Sequence, residues 1–298
     1  MSVYAAASYT NLIPSSTVIN GGYKYAFLPN EFGIDLNCTA LDPVYFSFGV
    51  GFKYLQNEMW SDSFISGYVS LNPNNPHAVE GDNVSFLYTH LYDFTQTNRA
   101  YYLTMPLKAQ YNWHFKHGWN LFVATGIKLG IPLASTAKIT TNLDLPNSTV
   151  YFPYSNNEIP LEEVLTDFNL NPNDFRELTG KQKLHFGVNL DWFLECGVEY
   201  KLPNDKGAIM LSAFFDLGVL NLQRRSAKRH SVVEVDYRSS DLLYIAGGFI
   251  NGKTDEYFNP SPTTDFQNTV NTNNYIDKIH AVSGGIKLSY RLPDFWGK

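Results

Sequence analysis

The sequence predicts an all-β chain: an antiparallel eight-stranded transmembrane β-barrel with short periplasmic turns and long extracellular loops, residues 1–298 forming a single domain. Three observations predict it. A two-residue hydrophobic alternation runs past the length of an ordinary strand, no apolar run is long enough for a membrane helix, and the connections alternate between tight and long.

The alternation is cleanest between Lys183 and Gln223. Leu184, Phe186, Val188, Leu190, Trp192, Leu194, Cys196, Val198, Tyr200 and Leu202 share one parity, and Lys183, His185, Asn189, Asp191, Glu195, Glu199 and Lys201 the other. A period of two marks a strand with one apolar and one polar face. Pro203-Asn204-Asp205-Lys206-Gly207 turns the chain, and Ile209, Leu211, Ala213, Phe215, Leu217 and Val219 return opposite Ser212, Asp216 and Gly218. Strands of soluble proteins seldom exceed about ten residues. At roughly 3.3 Å per residue this one reaches on the order of 65 Å, or roughly 45 Å of height at a 45° tilt, enough to cross a bilayer.

The other strands follow in order. Strand one is Ser2 to Asn11, with Tyr4, Ala6 and Ser8 alternating against Val3, Ala5, Ala7 and Tyr9, and a turn-rich segment, Pro14 to Asn30, comes next. Strand two sets Phe32, Ile34, Leu36, Cys38 and Ala40 against Gly33, Asp35, Asn37 and Thr39, and Asp42-Pro43 ends it. Strand three sets Val44, Phe46, Phe48, Val50, Phe52 and Tyr54 against Ser47, Gly49, Gly51 and Lys53. Strand four sets Tyr101, Leu103, Met105, Leu107, Ala109, Tyr111 and Trp113 against Tyr102, Thr104, Lys108, Gln110 and Asn112. Strand five sets Trp119, Leu121, Val123, Ile127, Leu129, Ile131 and Leu133 against Asn120, Ala124, Gly126, Lys128 and Gly130. Strands six and seven are the hairpin already described. Strand eight sets His280, Val282, Gly284, Ile286, Leu288, Tyr290 and Leu292 against Ser283, Gly285, Lys287, Ser289 and Arg291. Connections at 42–43, 115–118 and 203–206 are tight, whereas those at 12–30, 59–97, 141–181 and 225–276 are polar and long. Within them, Pro160-Leu161-Glu162-Glu163-Val164-Leu165 predicts a short helix, with proline at its start and acids in its first turn. Val232, Val233, Val235, Leu242, Leu243, Tyr244 and Ile245 are expected to fold over the barrel mouth.

Composition agrees. Mean hydropathy is −0.22, as expected where the membrane signal lies in alternation. The 20 Tyr, 21 Phe and 5 Trp suffice for interfacial girdles, and Trp60, Tyr101, Trp113, Trp119 and Trp192 are read as girdle or lipid-facing aromatics. A net charge of −6 gives no support for nucleic-acid binding. Cys38 and Cys196 fall on the lipid-facing parity of strands two and six, too far apart for a disulfide. No basic and apolar leader follows Met1, so the barrel reading expects an export signal to have been removed.

The run Tyr102-Leu103-Thr104-Met105-Pro106-Leu107 leading to Tyr111, the tight turn, and Leu121 to Gly130 with Gly126 and Gly130 resemble the small OmpA/OmpX-like outer-membrane barrels, especially the Bacteroidetes type. The resemblance covers essentially the whole chain and implies a barrel in the bacterial outer membrane. The chain departs from the family's common terminal aromatic, closing on Pro293-Asp294-Phe295-Trp296-Gly297-Lys298.

The chemistry points to no catalytic residue. His230 with Asp236 and Asp241, and His77 with Glu80 and Asp82, are neighbours in polar loops with no nucleophile fixed beside a base. Asp167, Asn169, Asn171, Asn173 and Asp174 space oxygens like a calcium loop, but Pro172 and Leu178 stand where that loop needs glycine and glutamate, so no metal site is expected. Arg224, Arg225, Lys228 and Arg229, followed by His230, form a basic run that is either a solvated loop base or a contact for lipopolysaccharide phosphates. The inward parity supplies Asp35, Asp191, Glu195, Glu199 and Asp216 with Lys53, Lys108, Lys128, Lys183, Lys201, Lys287 and Arg291, which predicts a lumen filled by ion pairs. Two functional classes fit. One is a non-catalytic structural or interaction protein acting through its extracellular loops, as a subunit of a larger outer-membrane assembly, with lipid, lipopolysaccharide and other outer-membrane proteins as partners. The other is a narrow pore or small-molecule transporter. Neither calls for a cofactor.

Overall fold

The computed structural model describes residues 1–14, 21–24, 27–41, 43–70, 85–115, 118–152, 155–222, 233–235, 243–245 and 278–293. Eight strands form the wall: β1 (Ser2–Pro14), β2 (Phe27–Leu41), β3 (Val44–Ser70), β4 (Ser85–His114), β5 (Trp119–Phe152), β6 (Asn189–Lys201), β7 (Ala208–Gly218) and β8 (Ile279–Arg291). Each runs antiparallel to the next, and β1 pairs with β8 from Ser2↔Arg291 to Pro14↔Ile279, so the sheet closes on itself. Closure leaves the wall no unpaired edge, the condition for a sheet to satisfy its peptide groups in hydrocarbon.

At one end the strands are joined by short turns. Phe115 N–H donates to the Trp119 carbonyl at 2.9 Å, and Leu292 N–H ties the end of β8 to the Met1 carbonyl at 2.9 Å. Between β6 and β7 the 3-10 turn Pro203–Asp205 has Asn204 at φ 60° and is followed by Gly207 at φ 99°. A side chain at position 207 would also run into the Arg291 carbonyl.

The wall has two polarities along its height. On β4 the outward residues from Trp113 to Tyr101 are apolar apart from the tyrosine hydroxyls, a rise of about 28 Å at a 45° tilt, close to the band of about 25 Å that such barrels present to lipid. Beyond Tyr101 the outward residues become Arg99, Thr97 and Thr95, while the inward ones become Ala100, Phe94 and Leu91. On β5 the outward sequence passes from Leu133 to Thr136, Lys138 and Thr140, and the inward one to Ala137, Ile139 and Leu143. A bulge marks the changeover: Tyr101 pairs with Ala134 and Tyr102 with Pro132, leaving Leu133 as the extra residue. One added residue exchanges the two faces of β5, so even positions point inward before it and odd positions after it.

The barrel therefore continues past the apolar band as an extension with water-soluble polarity. Its core gathers Leu12, Leu55, Met59, Phe94, Ile139, Leu143, Phe152 and Ile279 from the strands with Leu161, Val164 and Leu165 of helix α1 (Leu161–Asp167). Short strands add to the sheet: Gly21–Lys24 pairs with β3, and Asn157–Pro160 and Glu177–Lys183 pair with β5. A two-stranded hairpin, Val233–Val235 with Leu243–Ile245, lies against β3 and Glu177–Lys183.

This corrects the reading of 59–97 and 141–181 as plain loops, since β3 runs to Ser70, β4 starts at Ser85 and β5 ends at Phe152. In those stretches the outward residues include Asp62, Thr95, Thr97, Asn142 and Glu177, which resemble loop composition, and register shifts at Tyr88/His90 and Tyr92/Thr95 break the parity. A second correction concerns the strand from Lys183 to Leu202. It is two strands, Glu177–Lys183 and β6, joined across residues 184–188. Leu184 and Phe186 are 2% and 5% exposed inside the extension core, while Val188, at 45%, faces outward. Their shared parity was incidental, because residues 184–188 are not a continuous strand and bond instead through Leu184 N–H to the Ser135 carbonyl at 3.1 Å and Gly187 N–H to the Leu222 carbonyl at 2.6 Å.

Candidate functional site

The lumen within the apolar band is filled by side chains from all eight strands, drawn inward by the alternation that turns their apolar neighbours to lipid. Nearest the turns, Arg291 Nη1 on β8 donates to Glu199 Oε1 on β6 at 3.2 Å, Nη2 lies 2.9 Å from Oε2 as an ion-pair contact, and Asn120 Nδ2 donates to Oε1 at 3.1 Å.

One level further, Lys287 donates to Glu195 at 3.1 Å, and Ser212 Oγ to the other oxygen of that carboxylate at 2.7 Å. Lys108 reaches Asp35 at 3.4 Å. Above them Asp216 Oδ2 accepts from both Lys53 at 2.7 Å and Lys128 at 3.0 Å. Lys53 also meets Asp191 at 3.3 Å, and Lys128 meets Glu31 at 2.9 Å. The Tyr4 hydroxyl donates to Glu31 at 3.3 Å, and the Lys287 ammonium lies 4.3 Å from the centre of the Tyr4 ring. Room for that ring comes from Gly33 and Gly51, where an added Cβ would fall 2.6 Å and 2.5 Å from the Tyr4 oxygen. A cavity of about 20 Å³ remains among Tyr4, Glu31, Lys128, Asp216 and Lys287, enough for about one water.

Towards the extension the filling changes. Tyr102 is buried and donates to the Gly187 carbonyl at 3.4 Å. Next come buried amides, with Gln96 donating to Asn98 at 2.7 Å and Asn98 to Asn57 at 3.0 Å, and beyond these lies the apolar core. Ions, amides and hydrocarbon thus occupy successive levels. On the extension, burial first and the Glu158 carboxylate second push the Tyr88 phenol above its usual range.

Asp35, Lys53, Lys108, Lys128, Asp191, Glu195, Asp216 and Lys287 thus meet in one network, with Lys287 4.0 Å from Asp35, while Glu199 and Arg291 form a separate pair nearer the turns. Lys183 and Lys201, assigned to the lumen by parity, are exposed: the first ends a strand of the extension and the second stands at the turn rim. Glu31 belongs to the network and was missed. It shares the parity of Gly33 and Asp35, so carrying strand two one step back would have found it. Tyr4 was missed because an inward tyrosine reads as apolar. Arg224, Arg225, Lys228 and Arg229, with His77, Glu80, Asp82, His230, Asp236 and Asp241, lie outside the described residues. Asn171 accepts from Asn173 N–H at 3.2 Å and caps the 3-10 turn Pro172–Phe175, so the calcium-like spacing is turn chemistry.

Aromatic pairs mark both rims of the band. Tyr111 with Trp113 and Trp119 with Tyr200 lie 4.7 Å and 4.8 Å apart at the turn end, and Tyr54 with Tyr101 lies 5.1 Å apart at the other. Trp192 faces outward within the band, whereas Trp60 lies beyond it, pairing with Gly22. A family model described as an outer membrane protein beta-barrel domain matches residues 2–223. No curated protein matched the chain.

Proposed function

Since the chain belongs to the outer membrane protein beta-barrel domain family and is a bacterial outer-membrane protein, we propose that it is a sealed, non-catalytic barrel that works as a structural or interaction protein through the folded extension on its mouth. The observation that carries this reading is the filled lumen. Its acids and bases are engaged with one another across the bore, and the one cavity named above admits about one water. A narrow pore or carrier would need a path through both the ionic level and the apolar core of the extension. Substrate access to the buried carboxylates meets the same obstacle.

What remains for work is the outer surface of the extension. Outer-membrane barrels keep short turns in the periplasm, so the extension faces the exterior in this reading. An ordered platform loses little entropy when a partner docks, whereas structureless loops would first have to be ordered. We take that partner to be another outer-membrane protein, with this chain a subunit of their assembly.

The test is the mass of the complex extracted from native membranes in mild detergent. The intact chain is expected in a particle heavier than one copy. A chain lacking residues 232–270 should still insert and show heat-dependent gel mobility, yet run alone. An intact chain that extracts as a monomer would remove the interaction reading.

A further inference from the structure

We propose that Arg99, Lys138, Lys181 and Lys183, on the outward face just beyond the apolar band, form a binding site for the phosphate groups of an anionic lipid in the leaflet bordering the extension. The pairing registers bring the four together. Arg99 on β4 is opposite Thr136 on β5, which is opposite Lys183; two residues further on, on the same face, Thr97 is opposite Lys138, which is opposite Lys181. All four charged residues are exposed on the same outward face. With strands about 4.8 Å apart, Arg99 and Lys183 flank Thr136 across about 10 Å, a span that one or two phosphates fill.

Lys138 directly opposite Lys181 is the telling pair. Like charges in that position destabilise a sheet, and an anion held between them removes the penalty. The neighbouring strand of the same face offers Glu58, opposite Thr97, but Glu58 is bonded to Lys24 at 3.2 Å. Glu177 lies further out, opposite Asn142. Glu162, Glu163, Asp167 and Asp174 belong to helix α1 and the 3-10 turn Pro172–Phe175 rather than to the strands that carry these bases. In a chain of net charge −6, a cluster of four cations is not background.

The height fits a lipid rather than a soluble anion. Leu133, Ile131 and Tyr101 are outward and exposed immediately below, where acyl chains would pack. Thr136 and Lys138 stand three and five residues past Leu133, about 7 Å and 12 Å higher on a tilted strand. Headgroups occupy about 5–8 Å beyond the hydrocarbon, and lysine stems reach down to that level.

The full-length protein is placed in nanodiscs of phosphatidylcholine with an equal share of phosphatidylglycerol, and retained lipids are counted by native mass spectrometry. Preferential retention of phosphatidylglycerol is expected, weakening as salt is raised. Arg99→Gln/Lys138→Gln/Lys181→Gln should lower that preference on the order of 100-fold, since each cation near an anionic surface contributes about a factor of five. Heat-dependent gel mobility shows that the variant is folded, and the salt dependence of the unmodified protein decides the matter if it is not. Equal retention of the two lipids, retention insensitive to salt, or a folded variant that keeps the preference would overturn the proposal. So would displacement of the lipid by inorganic phosphate alone, which would make the site one for a free anion.

Discussion

Replacing Asp216 with alanine removes the acceptor shared by two buried lysines, Lys53 at 2.7 Å and Lys128 at 3.0 Å. Neither lysine is stranded. Lys53 keeps Asp191 at 3.3 Å and Lys128 keeps Glu31 at 2.9 Å. Each ammonium then holds one carboxylate instead of two, so the loss is two charge-assisted hydrogen bonds to one oxygen, about 1.5–3 kcal/mol each and about 3–6 kcal/mol together. Asp216→Asn retains the shape and an acceptor oxygen but not the charge, so its cost should lie nearer 1.5–3 kcal/mol, about that of a hydrogen bond to a charged group. Lys53→Met combined with Asp216→Ala should cost less than the two single losses added, a coupling of about 0.5–3 kcal/mol across the 2.7 Å pair. The assay is urea unfolding in phospholipid bilayers, followed by the fluorescence of the 5 tryptophans, with the exposed Glu163→Ala as control. A loss below about 1 kcal/mol for Asp216→Ala, or one matched by the control, would refute the view that the ion network holds the lumen together.

Leu165 is 0% exposed in the extension core, so Leu165→Ala should cost the extension about 2–5 kcal/mol and deprotect the amides of 85–97 in hydrogen exchange, while those of 101–113 stay protected. Protease added to intact cells should cut only in the extension, and cleavage at Lys206 should require permeabilised cells; cutting at Lys206 in intact cells would invert the orientation. Cys196 is exposed on the lipid-facing side of β6, so an apolar maleimide should label it in bilayers and a charged one should not. β2 and β6 share no ladder, so oxidation of Cys38 to Cys196 within one chain would contradict the strand order.

The wall was legible because lipid and a filled lumen impose one rule on every strand. Phe46, Phe48 and Val50 on β3 and Leu121, Val123 and Ile127 on β5 had to face outward, which fixed Lys53 and Lys128 inward before any contact was known. Beyond the bulge at Leu133 that rule reverses, and Thr136, Lys138 and Thr140 turned outward look like loop residues although Ala137, Ile139 and Leu143 pack a core between them. An alternation scored by apolar outward positions does not register one with apolar inward positions interrupted by bulges. The basic rim was hidden for a different reason. Arg99, Lys138, Lys181 and Lys183 come from three separate segments and meet only through the registers of β4, β5 and Glu177–Lys183. The partners of Asp216 were hidden likewise: parity shows that a side chain points inward, but which lysine it meets depends on stagger around the closed ring.

Single-channel recording of the purified, unmodified protein in planar lipid bilayers tests the sealed barrel most directly. Side chains fill the bore at its ionic, amide and apolar levels, so the current should stay at the bare-membrane baseline in either polarity. Reproducible unitary steps at moderate voltage from protein verified as folded would contradict the sealed lumen and put transport in place of interaction as the work of this barrel.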